Sequence, residues 1–154
     1  MLEAVMERAQ AATVFIASAA VADWRPALPS ERKIKKDGSG NAPTLGFVEN
    51  TDILATVAAL DRAKTGALFC VGFAAESHDL LENAQAKRVR KNVPLLVGNL
   101  GPATFGRDHN ALLLVDADGS LELPQASKRT LARELVRQIG LRRGNHGVLP
   151  SPPS

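Results

Sequence analysis

The chain has 154 residues, of which 45% are hydrophobic and 23% charged, enough for one domain with a buried core. This composition excludes a wholly disordered protein, and no apolar run approaches the roughly 20 residues that cross a bilayer. The acidic N-terminus lacks the apolar region of a signal peptide, and the single cysteine forms no internal disulfide. We therefore expect a cytoplasmic protein with no membrane partner.

The net charge is only +3, and aromatic residues make up 4% of the chain. So small a charge, without aromatics to stack on bases, argues against a nucleic-acid partner and leaves a basic nucleic-acid binder as the weakest alternative. The positive charge is concentrated locally, in residues 32–36 and 87–91 and near the C-terminus. We therefore look for a small anionic ligand.

Helical and strand-like hydrophobic patterns alternate along the chain. In chain order they predict a helix over 2–12, a buried strand over 13–20, a polar hairpin over 32–37 and 43–49, a helix from 51 to about 63, a strand over 67–72, a helix over 79–91, a strand over 94–98, a hairpin over 111–115 and 121–123, and a helix over 127–141. Asn50 is the expected N-cap of its helix, with Asp52 in the first turn. Residues 142–154 are predicted to be a disordered tail.

Strands that alternate with helices are typical of a parallel α/β fold. This chain opens with a helix, however, and carries neither G-x-G-x-x-G nor a P-loop. Either the fold is small, or the sequence is the second half of a larger domain.

Ligands of open α/β sheets bind at the carboxyl ends of the strands, which here precede residues 19–24, 72–76 and 98–101. Asp23 is equally compatible with a magnesium or hydroxyl contact and with a loop cap. For Glu76 we favour a structural role, because a helix is predicted to begin nearby and acids suit that end.

Two lysine pairs have the spacing to act together. Lys33 and Lys35 share one face of a predicted flap strand, where a charged edge that blocks aggregation is the favoured alternative to phosphate binding. Lys87 and Lys91 share one side of a helix near its C-terminus, where cations are favourable in any case. Because both pairs flank one predicted crevice, a polyphosphate ligand gains support.

Phe73 either contacts a base or packs in the core, and spacing favours the core.

Five short motifs then occur in a familiar order: SAAVADWRP at 18–26, KIKK at 33–36, NTDIL at 50–54, VGFAAE at 71–76 and KRVRKN at 87–92. Over residues 1–141 the sequence resembles the C-terminal part of bacterial phosphopantothenate–cysteine ligase, the synthetase half of a bifunctional coenzyme A biosynthesis flavoprotein. The resemblance implies a Rossmann-like three-layer sandwich with a mostly parallel sheet and a β-hairpin flap.

The resemblance also implies a reaction. The carboxylate of 4′-phosphopantothenate attacks CTP and releases pyrophosphate, and the amine of L-cysteine then displaces CMP from the acyl-cytidylate. Mg²⁺ accompanies CTP, no flavin binds to this part, and the proteins are homodimers whose flap contributes across subunits.

The motifs assign site residues by position. The resemblance implies a nucleotide site of Ala17, Ser18, Ala19 and Asp23, with Asp23 on magnesium; a flap lysine, Lys33, acting on the acyl-cytidylate; paired alanines, Ala19 and Ala20, near the reacting centre; a cytosine reader of Thr51, Asp52, Ile53 and Leu54; and base or phosphate contacts by Phe73, Lys87 and Lys91. The family usually has proline in place of Thr51 and aspartate in place of Leu100.

The match begins inside the family's domain, because the first strand, its Gly-rich turn and an asparagine-containing segment have no counterpart in these residues. We therefore expect a truncated or split ligase domain, completed by the missing N-terminal segment or by a partner chain. The alternative is a non-catalytic nucleotide-binding or dimerisation module.

Overall fold

The computed structural model describes residues 1–30, 35, 44–100 and 108–146. They divide into a larger unit, Met1–Ser18 with the chain from Ile53 onward, and a smaller unit, Ala19–Asp52. The described helices and strands are, in chain order, α1 (Leu2–Ala9), β1 (Val14–Ala17), β2 (Trp24–Pro26), β3 (Phe47–Glu49), α2 (Ile53–Ala58), α3 (Asp61–Lys64), β4 (Phe69–Glu76), α4 (Leu80–Lys91), β5 (Leu95–Leu100), β6 (His109–Val115), β7 (Ser120–Ser127) and α5 (Lys128–His146).

The larger unit is built on a five-stranded sheet with the order β1-β4-β5-β6-β7. Strands β1, β4 and β5 are parallel, and β6 is antiparallel to both of its neighbours, so four of the five strands run in one direction. This confirms the predicted α/β class with a mostly parallel sheet. Strand β4 passes the end of β1, because Ala17 is level with Gly72 while Glu76 is level with Leu100.

Two apolar clusters cover the two faces of this sheet, as the period-two pattern of strand side chains requires. Along β4, Cys70 and Ala74 belong to the cluster that includes α1, α2 and α4. Phe69 and Val71 belong to the other cluster, which α5 covers with side chains spaced four residues apart, Leu131, Leu135 and Ile139. Helices on both faces give the predicted three-layer sandwich.

Two glycines let helices approach the sheet closely on the same face. A Cβ at Gly72 would lie 2.7 Å from Leu54 Cδ2, and one at Gly98 would lie 2.9 Å from Leu80 Cδ1. Both distances are shorter than a normal carbon contact, so a methyl group at either position would displace a leucine. These glycines therefore bring the first turns of α2 and α4 down onto the strands.

The prediction of a disordered tail is wrong for residues 142–146, because α5 continues to His146. The Arg142 guanidinium donates to Asp116 Oδ2 at 2.7 Å in the turn between β6 and β7, and both side chains are largely buried. This ion pair stabilises the last turns of the helix. Residues 147–154 of the predicted tail lie outside the described residues. No helix in the described part of the chain is both long and apolar enough to cross a lipid bilayer.

Candidate functional site

The carboxyl edge of the sheet in the larger unit is formed by the ends of β1, β4 and β5. Strand β1 ends at Ala17, and the Ser18 amide then donates to the Ile16 carbonyl at 3.1 Å, which turns the chain away from the sheet. Ala17 is half-buried and Ser18 exposed. Two of the predicted nucleotide-site residues thus lie at an accessible strand end.

The predicted base contacts of the larger unit lie on opposite faces of the sheet. Leu54, with Ile53 beside it at the start of α2, packs above Gly72. Phe73 projects to the other face, where it packs against the cluster covered by α5 and remains half-buried. Because Phe73 follows Gly72 directly, β4 carries an apolar contact on each face at the point where it passes the end of β1.

Lys87 reaches the carboxyl edge through an ion pair. Its Nζ lies 2.9 Å from Glu76 Oε1, and the side chains of Lys87 and Glu76 are 31% and 16% exposed. Helix α4 follows β4 and returns towards the start of β5, so Lys91 lies one turn further from this edge. The pair therefore places the Lys87 ammonium, rather than that of Lys91, beside the strand ends.

The predicted structural role of Glu76 at a helix start is wrong. Glu76 is the last residue of β4, α4 begins only at Leu80, and the acidic residue in its first turn is Glu82. The Glu76 carboxylate instead accepts a hydrogen bond from Lys87. Sequence reasoning had no signal for this contact, because it joins a strand end to the third turn of the following helix.

Asp23 lies in the smaller unit, in a segment tied to the end of β3 by hydrogen bonds. The Asn50 amide donates to the Asp23 carbonyl at 2.7 Å, and Asn50 Nδ2 donates to the Ala22 carbonyl at 2.8 Å. Arg25 donates to Asn50 Oδ1 at 2.9 Å and to the Glu49 carbonyl at 3.2 Å. These bonds fix the backbone of Asp23, whose side chain is exposed.

The predicted N-cap role of Asn50 is therefore wrong, since α2 begins at Ile53 and the Asn50 side chain is used to hold residues 22–25. The other predicted site residues of the smaller unit are Ala19, Ala20, Thr51 and Asp52; all but Asp52, which is half-buried, are exposed. Nothing in the sequence pattern distinguished Asn50 as a clamp, because its partners lie 25 and 28 residues away.

The predicted flap falls largely outside the described residues, and Lys33 is among those not described. Lys35 is described as exposed and in no strand. The predicted second strand is present as β3, but its partner is β2, with Trp24 level with Glu49 and Pro26 level with Phe47. Residues 24–26, for which the sequence analysis predicted no helix or strand, thus supply a strand that it missed.

The donor set for a metal ion is small. The described residues contain no group of three or more His, Cys, Asp or Glu side chains arranged to hold one. A single exposed carboxylate such as Asp23 nevertheless fits Mg²⁺, which proteins bind through one or two carboxylates together with substrate phosphates and water.

The family model described as the DNA/pantothenate metabolism flavoprotein C-terminal domain matches residues 1–141. The chain belongs to this family. This confirms the resemblance seen in the sequence.

The chain is 41% identical to the coenzyme A biosynthesis bifunctional protein CoaBC of Vibrio cholerae over 142 residues, which are 90% of this chain and 35% of that protein. It is also 41% identical to CoaBC of Escherichia coli K12 over 143 residues, 90% of this chain and 34% of that protein. A crystal structure of the C-terminal domain of CoaBC matches with a TM-score of 0.70 at 29% identity, covering 94% of this chain and 61% of that one. The chain therefore spans about a third of the length of the curated relatives it matches.

Proposed function

We propose that this chain is the nucleotide-handling portion of a phosphopantothenate–cysteine ligase of coenzyme A biosynthesis, with CTP as its co-substrate. Membership of the family supports the reaction class. The observation that carries the proposal to particular residues is the Lys87 ammonium, held 2.9 Å from Glu76 at the carboxyl edge of the sheet. This edge is where ligands of open α/β sheets bind.

The first step joins a carboxylate to the α-phosphate of CTP, and its main obstacle is repulsion between two anions. An ammonium group at the strand ends lowers that repulsion and stabilises the pyrophosphate that leaves. Lys87 supplies such a group, and the exposed Ser18 at the end of β1 offers a hydroxyl to a phosphate oxygen. Lys33 stays a proposed catalytic lysine and Lys91 a proposed phosphate contact.

Asp23 is the residue that we propose to hold Mg²⁺. Its fixed backbone and exposed carboxylate suit an ion that also binds the phosphates of CTP. Bound Mg²⁺ would supply further neutralisation of the triphosphate.

We further propose that the protein is a homodimer. In the ribbon formed by β2 and β3, Trp24 and Phe47 lie on one face, with 59% and 56% of their surfaces exposed. Exposed aromatic pairs of this kind are enriched in protein interfaces. Light scattering on the full chain checks this proposal: Trp24→Ser should lower the molar mass from dimer to monomer, and a monomeric wild-type chain would refute it.

Calorimetric titration of the full chain with CTP and Mg²⁺ tests the nucleotide site. Lys87→Ala should weaken binding about ten- to hundredfold, because a charge-assisted hydrogen bond to phosphate contributes about 1.5–3 kcal/mol. Lys64→Ala is the matched control, since Lys64 also pairs with an acid, Asp61, at 3.5 Å. Equal losses in the two variants would contradict the assignment of Lys87.

Pyrophosphate release with 4′-phosphopantothenate and L-cysteine tests turnover. The assay is run on the chain alone and with the upstream segment of a relative supplied in trans. Turnover under either condition supports the ligase. CTP binding without turnover under both conditions would instead support a non-catalytic nucleotide-binding module, and absence of CTP binding would refute both.

A further inference from the structure

Glu76 is an unexpected residue at an edge that is proposed to bind a triphosphate. Its carboxylate lies at the end of β4, and only 16% of the side chain is exposed. By charge alone it would repel the phosphates that Lys87 attracts. The presence of an acid here therefore needs a reason other than direct contact with the ligand.

We propose that Glu76 is a positioning residue for the nucleotide, acting by holding the Lys87 ammonium at the carboxyl edge of the sheet; this inference rests on the proposed function. Glu76 is a firm anchor, because its backbone is level with Leu100 of β5 and its side chain is mostly buried. An ammonium group has three donors, so one hydrogen bond to Glu76 leaves two for phosphate oxygens.

Holding Lys87 in place before CTP binds reduces the conformational entropy that is lost on binding. Lysine has a flexible four-carbon stem, and fixing such a side chain when a ligand binds costs conformational entropy. In this structure Lys87 is already fixed by Glu76, and α4 is fixed against β5 where Ala84 and Leu80 pack over Gly98. Part of the ordering has thus taken place before CTP arrives.

The proposal makes a prediction of opposite sign to simple electrostatics. If Glu76 only repels the triphosphate, Glu76→Ala tightens CTP binding. If Glu76 positions Lys87, the same variant weakens CTP binding about two- to twelvefold, the equivalent of about 0.5–1.5 kcal/mol. A purely structural ion pair would lower the thermal stability and leave the affinity of the folded protein unchanged.

The experiment measures the Kd of CTP with Mg²⁺ for the full wild-type chain and five variants, at a temperature where circular dichroism shows each to be folded. Glu76→Ala should bind more weakly than wild type. Glu76→Gln, whose amide oxygen still accepts from Lys87, should recover part of the loss and also serves if the alanine variant does not fold. Asp61→Ala, which removes one acidic charge from the pair with Lys64, should match wild type. In Lys87→Ala, adding Glu76→Ala should cause no further loss.

Three results would overturn the proposal. Unchanged or tighter binding by both Glu76 variants, while Lys87→Ala binds weakly, refutes the positioning role and leaves the proposed nucleotide site intact. A further loss on adding Glu76→Ala to Lys87→Ala shows that Glu76 does not act through Lys87. Failure of the wild-type chain to bind CTP refutes the proposed function and this inference together.

Discussion

Gly72 connects the packing of the larger unit with its proposed nucleotide site, because Leu54 at the start of α2 rests directly on it. In Gly72→Ala the added Cβ would lie 2.7 Å from Leu54 Cδ2 and 2.8 Å from Leu96 Cδ1. Carbon atoms in good contact are about 3.5–4.0 Å apart, so each leucine methyl must withdraw by about 1 Å. Leu96 is fully buried, which limits how far it can move.

The expected cost follows from these distances. Overpacking of a buried site costs about 1–3 kcal/mol, and the smaller backbone entropy of alanine in a strand offsets about 0.5–1 kcal/mol of that. A net loss of about 0.5–2 kcal/mol lowers the Tm of a chain of this size by about 1–8 °C. Displacing Leu54 should also weaken CTP binding, since the first turn of α2 is the proposed cytosine reader.

Thermal unfolding by circular dichroism measures this effect, and α5 offers a matched control. A Cβ added at Gly140 would have no other atom within 4 Å. Gly140→Ala should therefore raise the free energy of unfolding by about 0.5–1 kcal/mol, as expected for this replacement inside a helix. Adding Leu54→Val to Gly72→Ala should recover part of the loss. A Tm for Gly72→Ala at or above that of wild type would refute the close-packing argument.

Three further predictions concern other parts of the molecule. Burial raises the pKa of the Asp116 carboxyl, but hydrogen bonds from Arg142 and from the turn amides have the larger combined effect and hold that pKa below its ordinary value. The ionised form of Asp116 therefore stabilises the fold above about pH 4. Asp116→Asn should lower the Tm at neutral pH, and the difference from wild type should shrink as the pH falls through the folded pKa, whereas a pH-independent difference would contradict the ionic role. Burial raises the pKa of Cys70 to about 11, so this thiol should not react with a chromogenic disulfide reagent until the chain unfolds; rapid labelling of the folded chain would contradict its burial. Asn50→Ala removes the contacts to Arg25 and to the preceding backbone, so amide hydrogen exchange in β2 and β3 should accelerate, and unchanged exchange would mean that backbone pairing alone holds the ribbon.

The sheet of the larger unit could be predicted because its information is local. The runs at 67–72 and 94–98 are continuously apolar, and this is how strands covered on both faces read in a sequence. The turn at 116–119 is equally predictable from the sequence, because Asp116 Oδ1 accepts hydrogen bonds from the backbone amides of Asp118 and Gly119 within the turn itself. Elements whose stabilising contacts fall within a few residues were therefore placed correctly.

The errors arose where a side chain finds its partner far along the chain. The end of α5 depends on Arg142 reaching Asp116, 26 residues earlier. A sequence window rich in glycine and proline beyond residue 143 favours disorder instead. Asparagine is a common N-cap residue, but the side-chain amide of Asn50 makes its hydrogen bonds with Arg25 and with the Ala22 carbonyl instead.

The same reasoning limits what sequence could reveal about the candidate site. The strand-end rule correctly placed position 76 at the carboxyl edge, because the parallel direction of β1, β4 and β5 follows from their alternation with helices along the chain. The ion-pair partner of the Glu76 carboxylate does not follow from the strand-end rule, because Lys87 becomes its neighbour only when α4 folds back over the sheet. A sequence motif can therefore predict which residue types lie at a site. It does not predict that the Glu76 carboxylate holds the Lys87 ammonium at the strand ends, because that ion pair forms only in the folded chain.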